Sequence, residues 1–141
     1  MIKKVSFILL CIYTPLLLYW MFFGFGRVYD PQAAYRYNIV PFHTITDFAL
    51  MRVGGRIDQW INLFGNIAVF VPFGILIPLV KSYTWQAFII RFAFGILIIE
   101  IIQMISKRGT FDIDDIILNS IGAMIGWCVW RYISTFRQRS V

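Results

Sequence analysis

Glu100, Gln103, Lys107, Arg108, Asp112, Asp114, Asp115 and Asn119 all lie in one stretch, EIIQMISKRGTFDIDDIILNS at 100–120, of a chain that is otherwise mostly hydrocarbon. Four of the seven acidic residues are here, with two cations between them. Two kinds of chemistry suit such a set. A carboxylate in a poorly hydrated place is a general acid or base, so Glu100, with Asp115 assisting, could exchange a proton with a substrate whose phosphate or carboxylate Arg108 holds. Alternatively the same groups bind without reacting, with Lys107 and Arg108 attracting anions and amides orienting the ligand. Paired acids could also ligate Mg²⁺, but only once helices bring them together. No H-E-x-x-H, G-x-S-x-G or Cys–His combination is present, so catalysis is left undecided and no cofactor is expected.

The solvent chosen by the rest of the chain limits what can position these groups. Of 141 residues 60% are hydrophobic, 18% aromatic and 14% charged, whereas soluble domains carry about a quarter charged residues. Mean hydropathy is +0.74. A water-soluble core could not hide this much apolar surface, but a bilayer can. The net charge of +6 would suit nucleic acid if it formed one patch. Instead the basic residues stand at the ends of apolar runs, as lipid headgroups favour. Membrane lipid is therefore an expected partner and nucleic acid is not. Cys11 and Cys128 lie in apolar runs without C-x-x-C spacing, and His43 is the lone histidine, so no metal site is expected.

Four runs, 5–26, 60–80, 85–105 and 115–133, are long enough to cross a hydrocarbon core of ~30 Å. The first exceeds a signal-peptide core of about 7–15 residues and precedes no A-x-A-like site, so it reads as a retained helix. The expected fold is all-α, a single membrane domain over 1–141 with four transmembrane helices in an antiparallel bundle, because the later links are short. Pro72 should kink the second helix and free a carbonyl near Ala68. The first loop, 27–59, is too long for a bare connection. A short helix capped by Thr44, with Asp47 three residues on and Gly54-Gly55 ending it, is expected there, lying on the membrane surface. Lys3 and Lys4 favour cytoplasmic termini, while the other basic residues do not decide the orientation.

Four antiparallel crossings bring the start of the second, the end of the third and the start of the fourth to one membrane face. At ~100° per residue, Glu100, Gln103 and Lys107 share a helix face, as do Asn62, Gly65 and Asn66, and Asp115, Asn119, Gly122 and Gly126. Unpaired polar groups in hydrocarbon are costly, so these stripes should face each other or a wet cavity. Plainer roles exist for each. Asp112 and Asp114 suit helix caps; the amides suit interhelical hydrogen bonds of about 0.6 kcal/mol. Gly122-x-x-x-Gly126 suits close packing, to which Gly65 and Gly74 could add. Glu100, one to two turns below the surface, is the hardest to explain in this way. It needs a partner or a proton, and Lys107 or Arg108 could be that partner. The expected ligand set is Asn38, Asn62, Asn66, Glu100, Gln103, Arg108, Asp115 and Asn119.

In order along the chain stand N-x-x-P-F at 38–42, N-x-x-G-N-x-x-x-F-x-P-x-G at 62–74 and E-x-x-Q at 100–103. Arg108 and D-x-x-x-N-x-x-G-x-x-x-G at 115–126 follow. This series resembles the VanZ-like family of small bacterial membrane proteins, whose named member is linked to teicoplanin resistance. The resemblance implies a multi-pass protein of the bacterial cytoplasmic membrane with a role at the cell envelope, and supplies no reaction. Two functions remain open. One is an envelope-facing polar pocket for a polar or amphiphilic ligand, a glycopeptide or a lipid-linked envelope molecule, conferring resistance to lipophilic glycopeptides. The other is an intramembrane enzyme acting on a lipid-linked substrate, with Glu100, Asp115 and Arg108 as its candidate catalytic residues. Transport would require a homo-oligomer, because the inner halves of the helices are apolar.

Overall fold

Between Lys4 and Phe23 no charge interrupts the chain, and its helix, α1 (Ile2–Phe23), takes Lys3 and Lys4 into its first turn. The computed structural model describes residues 1–24, 29–50, 52 and 56–139, with the side chains of all but 56–59 and 137–139. In the first loop lies α2 (His43–Ala49); α3 (Arg56–Ala68) and α4 (Val71–Val80) follow, then α5 (Trp85–Ile105) and α6 (Ile113–Arg139). Among the described residues four helical segments are long and apolar enough to cross a membrane: Ile2–Phe23, Trp60–Val80, Trp85–Ile105 and Ile113–Phe136. The protein is an all-α membrane protein, as its composition implies. At 1.5 Å per residue, the 27 residues of α6 reach about 40 Å, beyond a hydrocarbon core of ~30 Å. Its first turn carries Asp114 and Asp115, which bond polar groups of the loop and of α3 at one face.

The second crossing is broken at Val69 and Phe70, between α3 and α4. Pro72 is the cause. It occupies the first turn of α4, where its missing N–H is harmless to α4 but deprives the Ala68 carbonyl of a donor. At the break Tyr13 Oη of α1 donates to the Val69 carbonyl at 2.8 Å, so an opened backbone group serves to dock α1.

α6 is the centre of the bundle, packing on α3, α4 and α5, whereas α1 leans mainly on α4. One crossing separates α4 from α6, so the two run in the same direction and approach through glycine. A Cβ built on Gly74 would lie 2.0 Å from the Ala123 carbonyl oxygen. One on Gly122 would lie 2.0 Å from that of Ile67, and one on Gly126 2.1 Å from that of Val71. Gly65, expected to help helices approach, has nothing within 4 Å of its Cβ position. Phe70, Phe73, Leu17 and Ile96 form the buried core beside this seam. Ile90, Phe94, Ile98 and Ile105 of α5 are exposed and face lipid.

The loops of one face are sewn together. β1 (Tyr37–Asn38) pairs in parallel with β2 (Phe111–Asp112), Asn38 opposite Asp112. Phe111 N donates to the Arg36 carbonyl at 3.1 Å. The first loop thereby closes over the ends of α3, α5 and α6, which make up the polar face.

Candidate functional site

Two aspartates fix the roof. Asp112 Oδ1 accepts from Asp114 N at 2.9 Å, capping α6 as an acid in that place should. The same carboxylate accepts from Asn38 Nδ2 at 3.1 Å and Thr44 Oγ1 at 2.6 Å. Asp114 does something the local sequence does not suggest. Its fully buried carboxylate caps α2, taking Phe42 N at 2.6 Å and Ile45 N at 3.1 Å. Thr44 is thus not the cap of the loop helix. That position belongs to Phe42, held at φ 66° without a side-chain cap bond of its own, and Thr44 is turned to Asp112 instead. The expected Gly54-Gly55 stop lies outside the described residues; α2 itself ends at Ala49.

Below this roof Glu100 is 1% exposed, and its Oε2 accepts from Asp112 N at 3.3 Å. The cations expected to neutralise it also have other contacts. Arg108 stacks its guanidinium over Phe23, 4.4 Å from the ring centroid. Lys107 Nζ donates to the Pro31 carbonyl and lies 5.4 Å from the Tyr35 centroid. Their placement follows from how α5 ends. Arg108 N bonds to Gln103 O at 3.1 Å and Lys107 N to Met104 O at 3.0 Å, the paired bonds of a Schellman turn. The left-handed position of that turn, usually glycine, is Lys107 at φ 54°. Lys107→Gly is therefore expected to raise stability by up to about 1 kcal/mol by removing the strain of a left-handed Cβ. Thermal unfolding in detergent reads this, and an unchanged or lower midpoint would mean that the Pro31 bond outweighs the strain.

On the second crossing Asn66 Nδ2 donates to Asp115 Oδ1 at 2.6 Å and to Asn62 Oδ1 at 3.3 Å, linking α3 to α6. Gln103 points elsewhere, donating to the Met21 carbonyl at 2.7 Å and so tying α5 to α1. Asn119 is buried one turn below Asp115, and its Oδ1 has no hydrogen-bond partner among the described residues.

Between roof and helices is a cavity of about 540 Å³. Arg36, Lys107 and Arg108 give it three cations, Asp112 and Asp115 two carboxylates, and Thr44 and Asn62 neutral polar groups. Of the eight residues in the expected ligand set, Asn62, Arg108 and Asp115 line it directly. Asn66 holds Asp115 from behind, Asn38 holds Asp112, and Glu100 braces the backbone of Asp112. Arg36, Thr44 and Phe48 line the cavity too, and the expected ligand set left them out. Nothing in their spacing marks them; the pairing of β1 with β2 brings Arg36 there, and the bonds of Asp112 and Asp114 to α2 bring Thr44 and Phe48. Chemically, three cations that outnumber two carboxylates and stand beside neutral polar groups suit a phosphate or carboxylate carried by a larger polar body.

Comparison with known proteins agrees with the motif series. A model of the VanZ/LLP1 family matches residues 8–135, most of the chain. Among curated proteins, Protein VanZ of Enterococcus faecium is 34% identical over 68 residues. That alignment covers 46% of this chain and 41% of the relative, so it spans less than half of that protein's length. No solved structure matches the chain.

Proposed function

The chain belongs to the VanZ/LLP1 family, and from that premise we propose that its polar cavity binds a polar or amphiphilic ligand of the cell envelope and contributes to resistance to lipophilic glycopeptide antibiotics. The observation carrying this reading is the 540 Å³ cavity with Arg36, Lys107 and Arg108 on its wall, roofed by a loop that Asp112 and Asp114 hold in place. Lipophilic glycopeptides partition at the membrane surface, the depth at which the roof lies. Both termini are assigned to the cytoplasm, on the strength of Lys3 and Lys4, so the cavity faces the envelope.

Arg108→Ala removes a charge-assisted contact worth about 1.5–3 kcal/mol, so binding of a lipophilic glycopeptide should weaken by about ten- to a hundredfold. Binding to the detergent-solubilised protein measures this directly, and the resistance of a susceptible bacterial host should fall in parallel. Unchanged affinity and unchanged resistance at normal expression would end this reading.

One observation favours the enzyme as second reading: Asp115, oriented by Asn66, shares the cavity with Arg108. That arrangement pairs an acid with an anion clamp, and it shifts the acid–base role from Glu100, which does not line the cavity, to Asp115. Turnover of a lipid-linked envelope substrate, lost in Asp115→Asn, is its test; no turnover with any such substrate discards it.

A further inference from the structure

The opposite face has a feature that the polar cavity does not explain. α1 is tied to α5 near the polar face through Gln103 and Met21, but elsewhere it leans mainly on α4. An apolar groove of about 320 Å³ stays open among the three helices, walled by Leu17, Phe73, Phe92 and Ile96 and reaching Ile99. Gly95 widens it, since a Cβ there would meet nothing within 4 Å. The other end of the groove is basic. Lys81 Nζ lies 5.3 Å and Arg91 Cζ 5.2 Å from the ring centroid of Tyr83, which lines the groove with Arg91. A second apolar groove, lined by Lys81, Tyr83 and Thr14, adjoins it there. Both cations are exposed, and neither has an acidic partner among the described residues.

We propose that this groove holds one anionic phospholipid, with its phosphate between Lys81 and Arg91 and an acyl chain along α1 and α5. Two cations stand at the mouth of an apolar channel, so the two parts of the site match the charged head and the acyl chain of a single molecule. Snorkelling explains one arginine, six residues into α5, reaching back toward headgroup level. It explains neither a second cation at the same aromatic ring nor the open channel beneath. From Arg91 to Ile99 the helix rises about 12 Å, a span that the upper part of an acyl chain covers. No lining residue is shared with the polar cavity, so the site stands or falls independently of the proposed function.

Native mass spectrometry of the full chain in a neutral detergent, titrated with phosphatidylglycerol and with phosphatidylcholine of the same acyl chains, tests the site. Phosphatidylglycerol should be retained about tenfold more strongly, and free inorganic phosphate should not compete at equal concentration. The double variant Lys81→Gln, Arg91→Gln should remove the preference between headgroups. Gly95→Leu, whose Cβ would meet nothing within 4 Å, should reduce retention of both lipids. Equal retention of the two lipids by the unaltered protein overturns the proposal. So does a preference that survives the double variant, or phosphatidylglycerol retention that Gly95→Leu leaves intact.

Discussion

Adding one methyl group at Gly122 or Gly126 is expected to cost the protein its packed bundle. In lipid, apolar side chains gain little by leaving their surroundings, so helices associate through close van der Waals contact, which small residues permit. Here the contact is between backbones. The methyl carbon of Gly122→Ala would sit 2.0 Å from the Ile67 carbonyl oxygen and that of Gly126→Ala 2.1 Å from the Val71 oxygen. Even weak C–H···O contacts keep carbon and oxygen about 3.3 Å apart, so α6 must withdraw by more than an ångström along its densest seam. Overpacking a core with movable side chains costs about 1–3 kcal/mol. A backbone cannot rotate aside, so the cost belongs at or above the top of that range. Alanine returns at most about 1 kcal/mol through helix propensity, so the net change is a loss. Gly65→Ala and Gly95→Ala are the controls: their Cβ positions are open, and they should be neutral or slightly stabilising. Thermal unfolding in detergent and accumulation in the membrane report the difference. Gly126→Ala as stable as Gly65→Ala would show that the seam is looser than these distances.

The crossings were legible in the sequence because a bilayer leaves little choice. Runs of some twenty apolar residues have to be helices, and short links have to reverse them. The same alternation placed the stripes of Asn66 and Asp115 at one face but left open whether they meet or only border a wet cavity; in the structure Asn66 donates to Asp115. Helix ends were less legible. The first apolar run starts at Val5, but Lys3 and Lys4 belong to α1, because charged residues at a helix end can reach water while staying helical. Least legible were contacts whose partners lie far along the chain. The acid at 114 reads as a cap, and it is one, but for α2, whose Phe42 lies 72 residues earlier. Gln103 lies on the same helix stripe as Glu100, yet its amide reaches the Met21 backbone, 82 residues away. Periodicity gives a residue's face, and tertiary docking decides what that face meets.

Asp114→Ala is expected to release the roof while leaving the crossings in place. The carboxylate is fully buried and bonds two N–H groups of the first turn of α2. Hydrogen bonds to a charged group contribute about 1.5–3 kcal/mol each, and buried donors left without an acceptor add their own desolvation cost. Against this, α2 has seven residues, too few to hold a helix unaided in water. Phe42 would also be free to leave its left-handed conformation, which a few non-glycine residues adopt only under external constraint. The cheapest response is for the segment around α2 to lift from α6, keeping only the links through Asp112. Amide hydrogen exchange should then accelerate at Phe42 and Ile45 by a hundredfold or more, each decade being about 1.4 kcal/mol. The midpoint of global unfolding should fall less than in the Gly126 variant. Asp114→Asn keeps one acceptor oxygen and should lie between the two. Because Thr44 and Phe48 line the cavity from this same segment, ligand binding should weaken in Asp114→Ala although the carboxylate is not a lining residue. Exchange at Phe42 and Ile45 that is no faster than in the unaltered protein would mean that the roof is held by something other than this cap. Faster exchange with unchanged ligand affinity would instead leave the roof intact as a structural device and remove it from the binding site.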